Sequence, residues 1–569
     1  MAKTNNKTHT TQQSVNSTVK TICDIMRRSN VAGAMEYVPE LSWLLFLRIL
    51  DERETVEARR ATMQGLTFTP SLEAPYRWQD WAAPNSRKRK EIQEGEMGRL
   101  FPFLHDELFP YLHKLGDPTQ MPHATQRQRV IGRVMAGVRR ARIDTEFNMW
   151  EVIDKVHDIR DDRIDKTHIF PLSQVYEGLL LKMGEKRNDG GQFFTPREVI
   201  RAMIEAVRPE LGKTIYDPAC GTGGFLAQAY NYLEPQAQSP AQRQQLKERT
   251  FYGSEKDNTI FPIGLANLVL HGIDRPNLWH GNRLTGQATY SGLFTTAPAK
   301  YDYIFTNPPF GGKEGKNAQK NFDYPTSATQ VLFLQYCISQ LKEGGTCAIV
   351  MDEGVLFRTT EDGFVKTKRK LLTDCRVEAI ISLPGGVFTQ AGAGVKTNIL
   401  IFSKGQPTQT IWYYDLSHLK IRKRTPLTRA HFDHFFKVYP DKASSEFSWM
   451  VDMDGRKAKA REEAQPFYDE AARLEKEIRQ KLAQIRQLKS EKKTQSDEYK
   501  ELNKAVQDLR KEARQAKAKG EAVETAVYDL KAVNPNNQVK EDTRTPEDLI
   551  TIIEAKGREV AVALALLKG

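Results

Sequence analysis

In Ile215-Tyr216-Asp217-Pro218-Ala219-Cys220-Gly221-Thr222-Gly223-Gly224-Phe225-Leu226, a β-rich run that stops at an acid meets a glycine-rich turn, and an apolar helical pattern opens directly after it. Strand, glycine turn and helix in that order begin a βαβ unit, the building block of a parallel sheet. The glycines let the backbone approach a ligand closely, and Asp217 can accept a hydrogen bond from a ligand ammonium group. The spacing departs from Gly-x-Gly-x-x-Gly, which counts against a nicotinamide dinucleotide. Cys220 reads as a small, inert residue beside the loop rather than a nucleophile.

Outward from this stretch, β-rich runs alternate with helical ones. The runs are Lys213–Asp217, Thr250–Glu255, Tyr301–Thr306, Gly345–Met351, Val377–Leu383 and Thr397–Ser403, and Phe225–Leu233 and Gln330–Leu341 are helices between them. Such alternation predicts a doubly wound α/β domain over residues 176–440, with ligands at the carboxyl ends of the strands. Ile411–Asp415 is expected as an edge strand, followed by basic Lys420, Arg422, Lys423 and Arg424. Glu255, at the end of its run, can take both hydroxyls of a ribose.

A second segment carries chemistry: Asp302-Tyr303-Ile304-Phe305-Thr306-Asn307-Pro308-Pro309-Phe310. Prolines cannot continue a ladder and they stiffen the chain, so the Asn307 side chain and the Asn307 and Pro308 carbonyls become fixed at a strand's end. The Asn307 carboxamide oxygen and the Pro308 carbonyl can each accept a hydrogen bond from an exocyclic amino group, and Phe310 offers a face on which an extruded base can stack. Residues Gly311–Gln330, with Lys313, Lys316 and Lys320, read as a lid or DNA-contacting loop. Upstream, Gly191-Gln192-Phe193-Phe194-Thr195-Pro196-Arg197 taken alone is a turn with a helix start.

The flanks differ. At ~100–200 residues per domain, 569 residues hold about three units. Residues 1–12 are Thr/Asn/Gln-rich and expected to be disordered. Residues 13–175 show helical periodicity at Ser14–Arg28, Tyr37–Glu54 and Thr125–Arg142, with an irregular, Pro-containing stretch between that holds Arg87-Lys88-Arg89-Lys90. The arginines of 127–142 are either a solvated face or phosphate contacts. Residues 441–569 are helical, with apolar residues at heptad spacing (Ala471, Leu474, Ile478, Ile485, Leu488, then Tyr499, Leu502, Val506, Leu509, Ala513) that form either one long helix or a hairpin near Lys489–Asp497. Thr545-Pro546-Glu547-Asp548 marks a further helix start. Lys plus Arg (84) against Asp plus Glu (72) leaves +12, a balance that suits a polyanion without demanding one. Five scattered cysteines without a Cys-x-x-Cys pair exclude a disulfide scaffold and a structural zinc site, and no metal is expected. The polar N-terminus has no secretory h-region, and the strongest apolar run, Leu41–Leu50, is too short to span a bilayer, so a cytoplasmic protein with no membrane partner is expected.

Taken together and in this order, these segments resemble the γ-type amino-methyltransferases of DNA. More narrowly, the chain resembles the methylation (M) subunits of type I restriction-modification systems. The likeness includes Leu44-Leu45-Phe46-Leu47, Tyr176-Glu177-Gly178-Leu179-Leu180, Asn307-Pro308-Pro309-Phe310-Gly311, Leu383-Pro384-Gly385-Gly386-Val387-Phe388, Gly394-Val395-Lys396-Thr397-Asn398 and Lys423-Arg424-Thr425-Pro426, and it covers roughly residues 15–440. The resemblance implies S-adenosyl-L-methionine as cofactor and adenine N6 in double-stranded DNA as methyl acceptor, with the base flipped from the duplex. It implies that Gln192, Phe193, Phe194, Thr195, Pro196 and Arg197 pack over the methionine end of the cofactor. Asp217 with Gly221, Thr222, Gly223 and Gly224 would cradle it, and Glu255 would hold its ribose. Asn307, Pro308, Pro309 and Phe310 would be the catalytic segment, with Phe388 a candidate for the opposite stacking wall. Where such enzymes often place an Asp against the cofactor's adenine, His280-Gly281-Asn282-Arg283-Leu284 offers Asn282, an amide that can still hydrogen-bond adenine.

The resemblance also implies partners: a specificity (S) subunit that reads the DNA target, a second copy of the chain joined to that same subunit, and a restriction (R) subunit from which methylation protects host DNA. The C-terminal helices would dock on the partner's helices. The competing readings are a stand-alone or orphan DNA adenine methyltransferase, an RNA-guanine or protein-glutamine methyltransferase, and a non-enzymatic assembly scaffold. The Gly-Gln-Phe-Phe-Thr-Pro segment and the helical N-terminal region speak against the RNA and protein enzymes. Cytosine N4 methylation goes with Ser in place of Asn307, and a scaffold has no need of all the motifs intact.

Overall fold

The computed structural model of the chain describes residues 12–29, 31, 34–94, 98–158, 195–273, 275–285, 297–388, 395–422, 425–531, 533–536, 550–551 and 554–558. Among these, strands β1 Ile215–Asp217, β2 Phe251–Glu255, β3 Asn277–His280, β4 Tyr301–Thr306, β5 Leu341–Asp352, β6 Cys375–Ser382, β7 Thr397–Lys404, β8 Thr410–Asp415 and β9 Ser448–Asp452 form one sheet. Their order is β3-β2-β1-β4-β5-β7-β6-β8-β9. The pairs β2–β3, β1–β2, β1–β4, β4–β5 and β6–β8 are parallel, while β7 lies antiparallel between β5 and β6. Helices cover both faces, so β1 and β2 are buried along their whole length, their polar residues included. The strand order changes direction at β1 and β4, and the crevice that opens there at the carboxyl ends is the ligand position of such sheets.

Two strands are not legible in the sequence. In β3 the buried Asn277 interrupts the apolar pattern, and its amide donates to the Glu248 and Phe251 carbonyls at 2.9 and 3.2 Å. A polar residue is tolerated inside a strand when its hydrogen bonds are satisfied. β9 pairs antiparallel with β8, so Ile411–Asp415 is an interior strand and not the expected edge. The sheet therefore runs on to Asp452.

The N-terminal region is helical, with Gln12–Arg28, Ala34–Met63, Gln126–Met135 and Glu146–His157 as its main helices. The stretch expected to be irregular contains helices Trp78–Trp81 and Arg87–Glu94. Arg89 is buried there: it donates to Asp154 at 2.6 Å and lies over the Trp150 ring. Arg127 pairs with Glu57 at 2.7 Å, and Arg129 donates to the Leu115 and Met121 carbonyls. These side chains hold the region together, while Arg139, Arg140 and Arg142 lie beyond the end of helix Gln126–Met135. Helix Ile260–Leu270 (IFPIGLANLVL) is apolar on all sides because it packs on the sheet domain through one face and on the N-terminal helices through another. The Arg53 guanidinium fixes that junction by donating to the Val269 carbonyl.

The heptad segment is a hairpin. Helices Met453–Ser490 and Asp497–Ala526 lie side by side, with Lys492 in the left-handed region (φ 56°) at the turn and Ser496 capping the second helix. Leu474, Ile478 and Ile485 bury against Val506 and Ala513, so each marginal helix finds its partner within the chain. The chain then returns to the sheet domain, where the Leu530 N–H donates to the Leu356 carbonyl. The helix start expected at Thr545–Asp548 lies outside the described residues. No described helix is long and apolar enough to cross a membrane.

Candidate active site

Four of the strands that meet at the switch point end in, or run directly into, the residues singled out from the sequence. Asp217 closes β1, Glu255 closes β2, Asn282 comes just after β3 and Asn307 directly after β4. Beside these strand ends lies an open cleft, lined among others by Ala219, Glu255, Lys256, Asn282, Pro309 and Phe333.

Asp217 is 1% exposed. Its Oδ1 accepts from the Thr306 hydroxyl at 2.7 Å and from the Ala219 N–H at 3.1 Å, while Oδ2 is buried with no partner among the described residues. Burial pushes the carboxyl up to about 7, against the lowering effect of those two donors. A buried acceptor of this kind is costly unless a ligand satisfies it, and an ammonium group does so best. The glycine loop is built for close approach: Gly221 and Gly223 have φ of 51° and 77°, a region that L side chains rarely adopt. The Glu255 carboxylate organises this loop from the next strand. One oxygen accepts from the Gly221 N–H and the other from the Asp257 N–H, both at 2.8 Å, and burial raises its pKa. Each oxygen keeps a second acceptor position. Cys220 is buried with its thiol pushed well up by burial, the state of an inert residue.

Asn307 is 8% exposed. Its amide nitrogen donates to the Thr195 hydroxyl at 3.0 Å, which orients the carboxamide, and its Oδ1 is buried without a partner among the described residues. The two unpartnered acceptors, Asp217 Oδ2 and Asn307 Oδ1, belong to adjacent strands that are tied together by the Thr306–Asp217 bond. Thr195 thus meets the Asn307 side chain, while Pro196 and Arg197 open helix Arg197–Val207 behind it. Gln192, Phe193 and Phe194 lie outside the described residues. Phe310 and Phe388 touch edge to face, with centroids 5.3 Å apart and planes at 70°. The two rings form no parallel-walled slot, so the pairing of Phe388 as an opposite stacking wall is not the arrangement in this structure.

Sequence reasoning missed Gln330. This residue is 3% exposed; its amide donates to the Pro308 carbonyl at 3.1 Å, and its own oxygen accepts from the Asp352 N–H at 2.9 Å. It therefore pins the proline segment to the end of β5 and leaves Pro308 one lone pair for a ligand. No local motif announces this role, because it depends on a helix some twenty positions downstream. Gln330→Leu is expected to lower the stability of the sheet domain by about 1–3 kcal/mol, because it strands two buried backbone groups. The midpoint of urea unfolding checks this.

The family described as N-6 DNA Methylase matches residues 167–477, and the HsdM N-terminal domain matches residues 15–145. The chain is 35% identical over 409 residues to the type I restriction enzyme EcoEI methylase subunit of Escherichia coli, covering 71% of this chain and 77% of that one. Among solved structures it is similar to a modification subunit assigned to a type I restriction enzyme from Vibrio vulnificus YJ016. That likeness has a TM-score of 0.67 and 31% identity, covering 79% of this chain and 94% of the other. A chain from a type I R-M system, solved for its complex assembly and conformational transition, matches over 98% of both chains with a TM-score of 0.61 and 30% identity.

Proposed function

The chain belongs to the N-6 DNA methylase family, alongside the methylase subunits of type I restriction enzymes, and from that premise we propose that it methylates adenine N6 at a DNA target chosen by a separate specificity subunit. The observation that carries this reading is the pair of buried acceptors at the ends of β1 and β4. Asp217 Oδ2 suits a cofactor ammonium and Asn307 Oδ1 suits a base amino group, and one hydrogen bond links the two strand ends.

Bound S-adenosylmethionine supplies an electrophilic methyl group. Asp217, the Gly221–Gly224 loop and Glu255 would hold it, by ammonium, backbone and ribose hydroxyls respectively, and the residues present fit those groups. Asn307 accepts from one N6–H of the adenine, with its oxygen kept open by the bond from its nitrogen to Thr195. Pro308 accepts from the other with the lone pair that Gln330 leaves. Together they aim the nitrogen lone pair and stabilise positive charge as it builds on N6, after which the extra proton leaves to water. Extrusion of the base costs a few kcal/mol, and stacking on Phe310 offsets part of it.

Target choice is assigned to another subunit because, among the described residues, the sheet gives way to a helical hairpin and not to a second globular unit of the kind that reads DNA. The hairpin offers an elongated docking surface for a specificity subunit. Two copies of the chain, that one reader and a restriction subunit make up the complex we propose, with host DNA protected in the cytoplasm. Single-molecule sequencing of host DNA, with the gene intact and deleted, tests this. Loss of N6-methyladenine from one split, two-part motif is expected. Loss from a short continuous motif would reject the separate reader, and an unchanged map would reject DNA methylation by this chain.

A further inference from the structure

The segment after Phe310 is a folded excursion that returns to the cleft. Lys313 pairs with Ala328, and the Glu314 N–H donates to the Ser327 carbonyl at 2.8 Å. This places Glu314 in the lining of the cleft, beside Lys256, Asn282, Pro309 and Phe333. Its carboxylate is held from two sides: Asn282 Nδ2 donates to Oε2 and the Thr329 hydroxyl donates to Oε1, both at 3.3 Å. Asn282 itself is engaged at both ends, since its Oδ1 accepts from the Leu284 N–H at 3.0 Å.

These contacts give Asn282 a part beside any contact of its own with adenine. Its amide uses its donor to orient a carboxylate that comes from another segment. We propose that Glu314 is the residue that reads the cofactor's adenine, accepting from the 6-amino group, with Asn282 and Thr329 as positioning residues that fix its rotamer. The proposal rests on the cofactor reading above. Each Glu314 oxygen has a second acceptor position, and a carboxylate prefers an amino donor to the carbonyl of a 6-oxo purine, which it repels. The chemistry therefore selects adenine over hypoxanthine or guanine in the nucleoside half of the cofactor.

Calorimetric titration of the full-length chain with S-adenosylhomocysteine and with S-inosylhomocysteine, which carries a 6-oxo group, tests this without any methyl transfer. The unaltered chain should prefer the adenine ligand by at least about tenfold. In Glu314→Gln an NH2 replaces one oxygen and can donate to a 6-oxo group, so the preference should collapse to about threefold or less, mainly through weaker adenine binding. Glu314→Ala should flatten the preference as well, and it serves if the Gln variant fails to fold. Equal weakening of both ligands, or an unchanged preference, would overturn the role of Glu314. Absence of binding by the unaltered chain to either ligand would instead overturn the cofactor reading itself.

Discussion

Asn307→Ala is expected to lower the rate of methyl transfer by about 10²–10³-fold, the range seen when a group placed to stabilise transition-state charge is removed. The affinity for S-adenosylhomocysteine should stay within about threefold, since an effect confined to the transition state leaves ground-state binding intact. The reason lies in the asymmetry of its carboxamide. The nitrogen is engaged by Thr195 and the oxygen has no partner among the described residues, so the side chain is poised to accept and not to donate. Single-turnover transfer of labelled methyl groups to duplex DNA, with partner subunits present, measures the first quantity, and calorimetry measures the second. Thr195→Val makes the argument specific. Without the hydroxyl, the carboxamide loses the hydrogen bond that its nitrogen makes among the described residues, and a smaller loss of about tenfold is expected from misorientation alone. Equal loss of transfer and of cofactor affinity in Asn307→Ala would move the residue from the base to the cofactor. Full activity would remove it from the reaction.

The parts of the fold that can be read in advance are those where physics is local. β1, β2 and β4 are β-rich runs that lead to Asp217, Glu255 and Asn307, and the glycine turn after β1 needs φ values that only its own residues reveal. The seam of the C-terminal helices is legible residue by residue. The polar interruption marks where a hairpin would turn, but the choice between a hairpin and one long helix is not legible, because a heptad pattern is the same for a helix that pairs with another chain and for one that pairs with itself. β3 and β9 escape since each is short and carries a buried polar residue, Asn277 or Ser448, whose side chain bonds to carbonyls outside its own strand. Arg89 is no more legible: it stands in a run of four basic residues, yet it is buried, and Asp154 and Trp150 offset the cost. Gln330 and Glu314 are the strongest examples at the site. Neither belongs to a motif, and both matter through the place to which the excursion after β4 and the next helix bring them.

Asp217→Asn is expected to weaken S-adenosylhomocysteine binding by about a hundredfold at pH 7.5, the order of a lost charge-assisted hydrogen bond in a buried site. It should also remove a pH dependence that the unaltered chain shows. Burial raises the Asp217 carboxyl from 3.8 to about 7, so the empty fold favours the protonated form. The stabilising contribution of this group is therefore fully present below the unfolded value and is lost as the pH rises through the folded one. A ligand ammonium reverses the preference, because it pairs only with the ionised carboxylate. Binding must then expel a proton at low pH, and affinity should drop by about tenfold or more between pH 7.5 and 5.5. The Thr306 hydroxyl and the Ala219 N–H already serve the other oxygen, so neither can substitute for the ammonium at Oδ2. Glu255 is also buried and raised, but its two oxygens are tied to backbone N–H groups and it remains in the Asn variant. The variant thus isolates Asp217: a flat, weak profile assigns the titration to it. A slope that persists in Asp217→Asn would assign the titration to Glu255 and leave Asp217 without the ammonium contact.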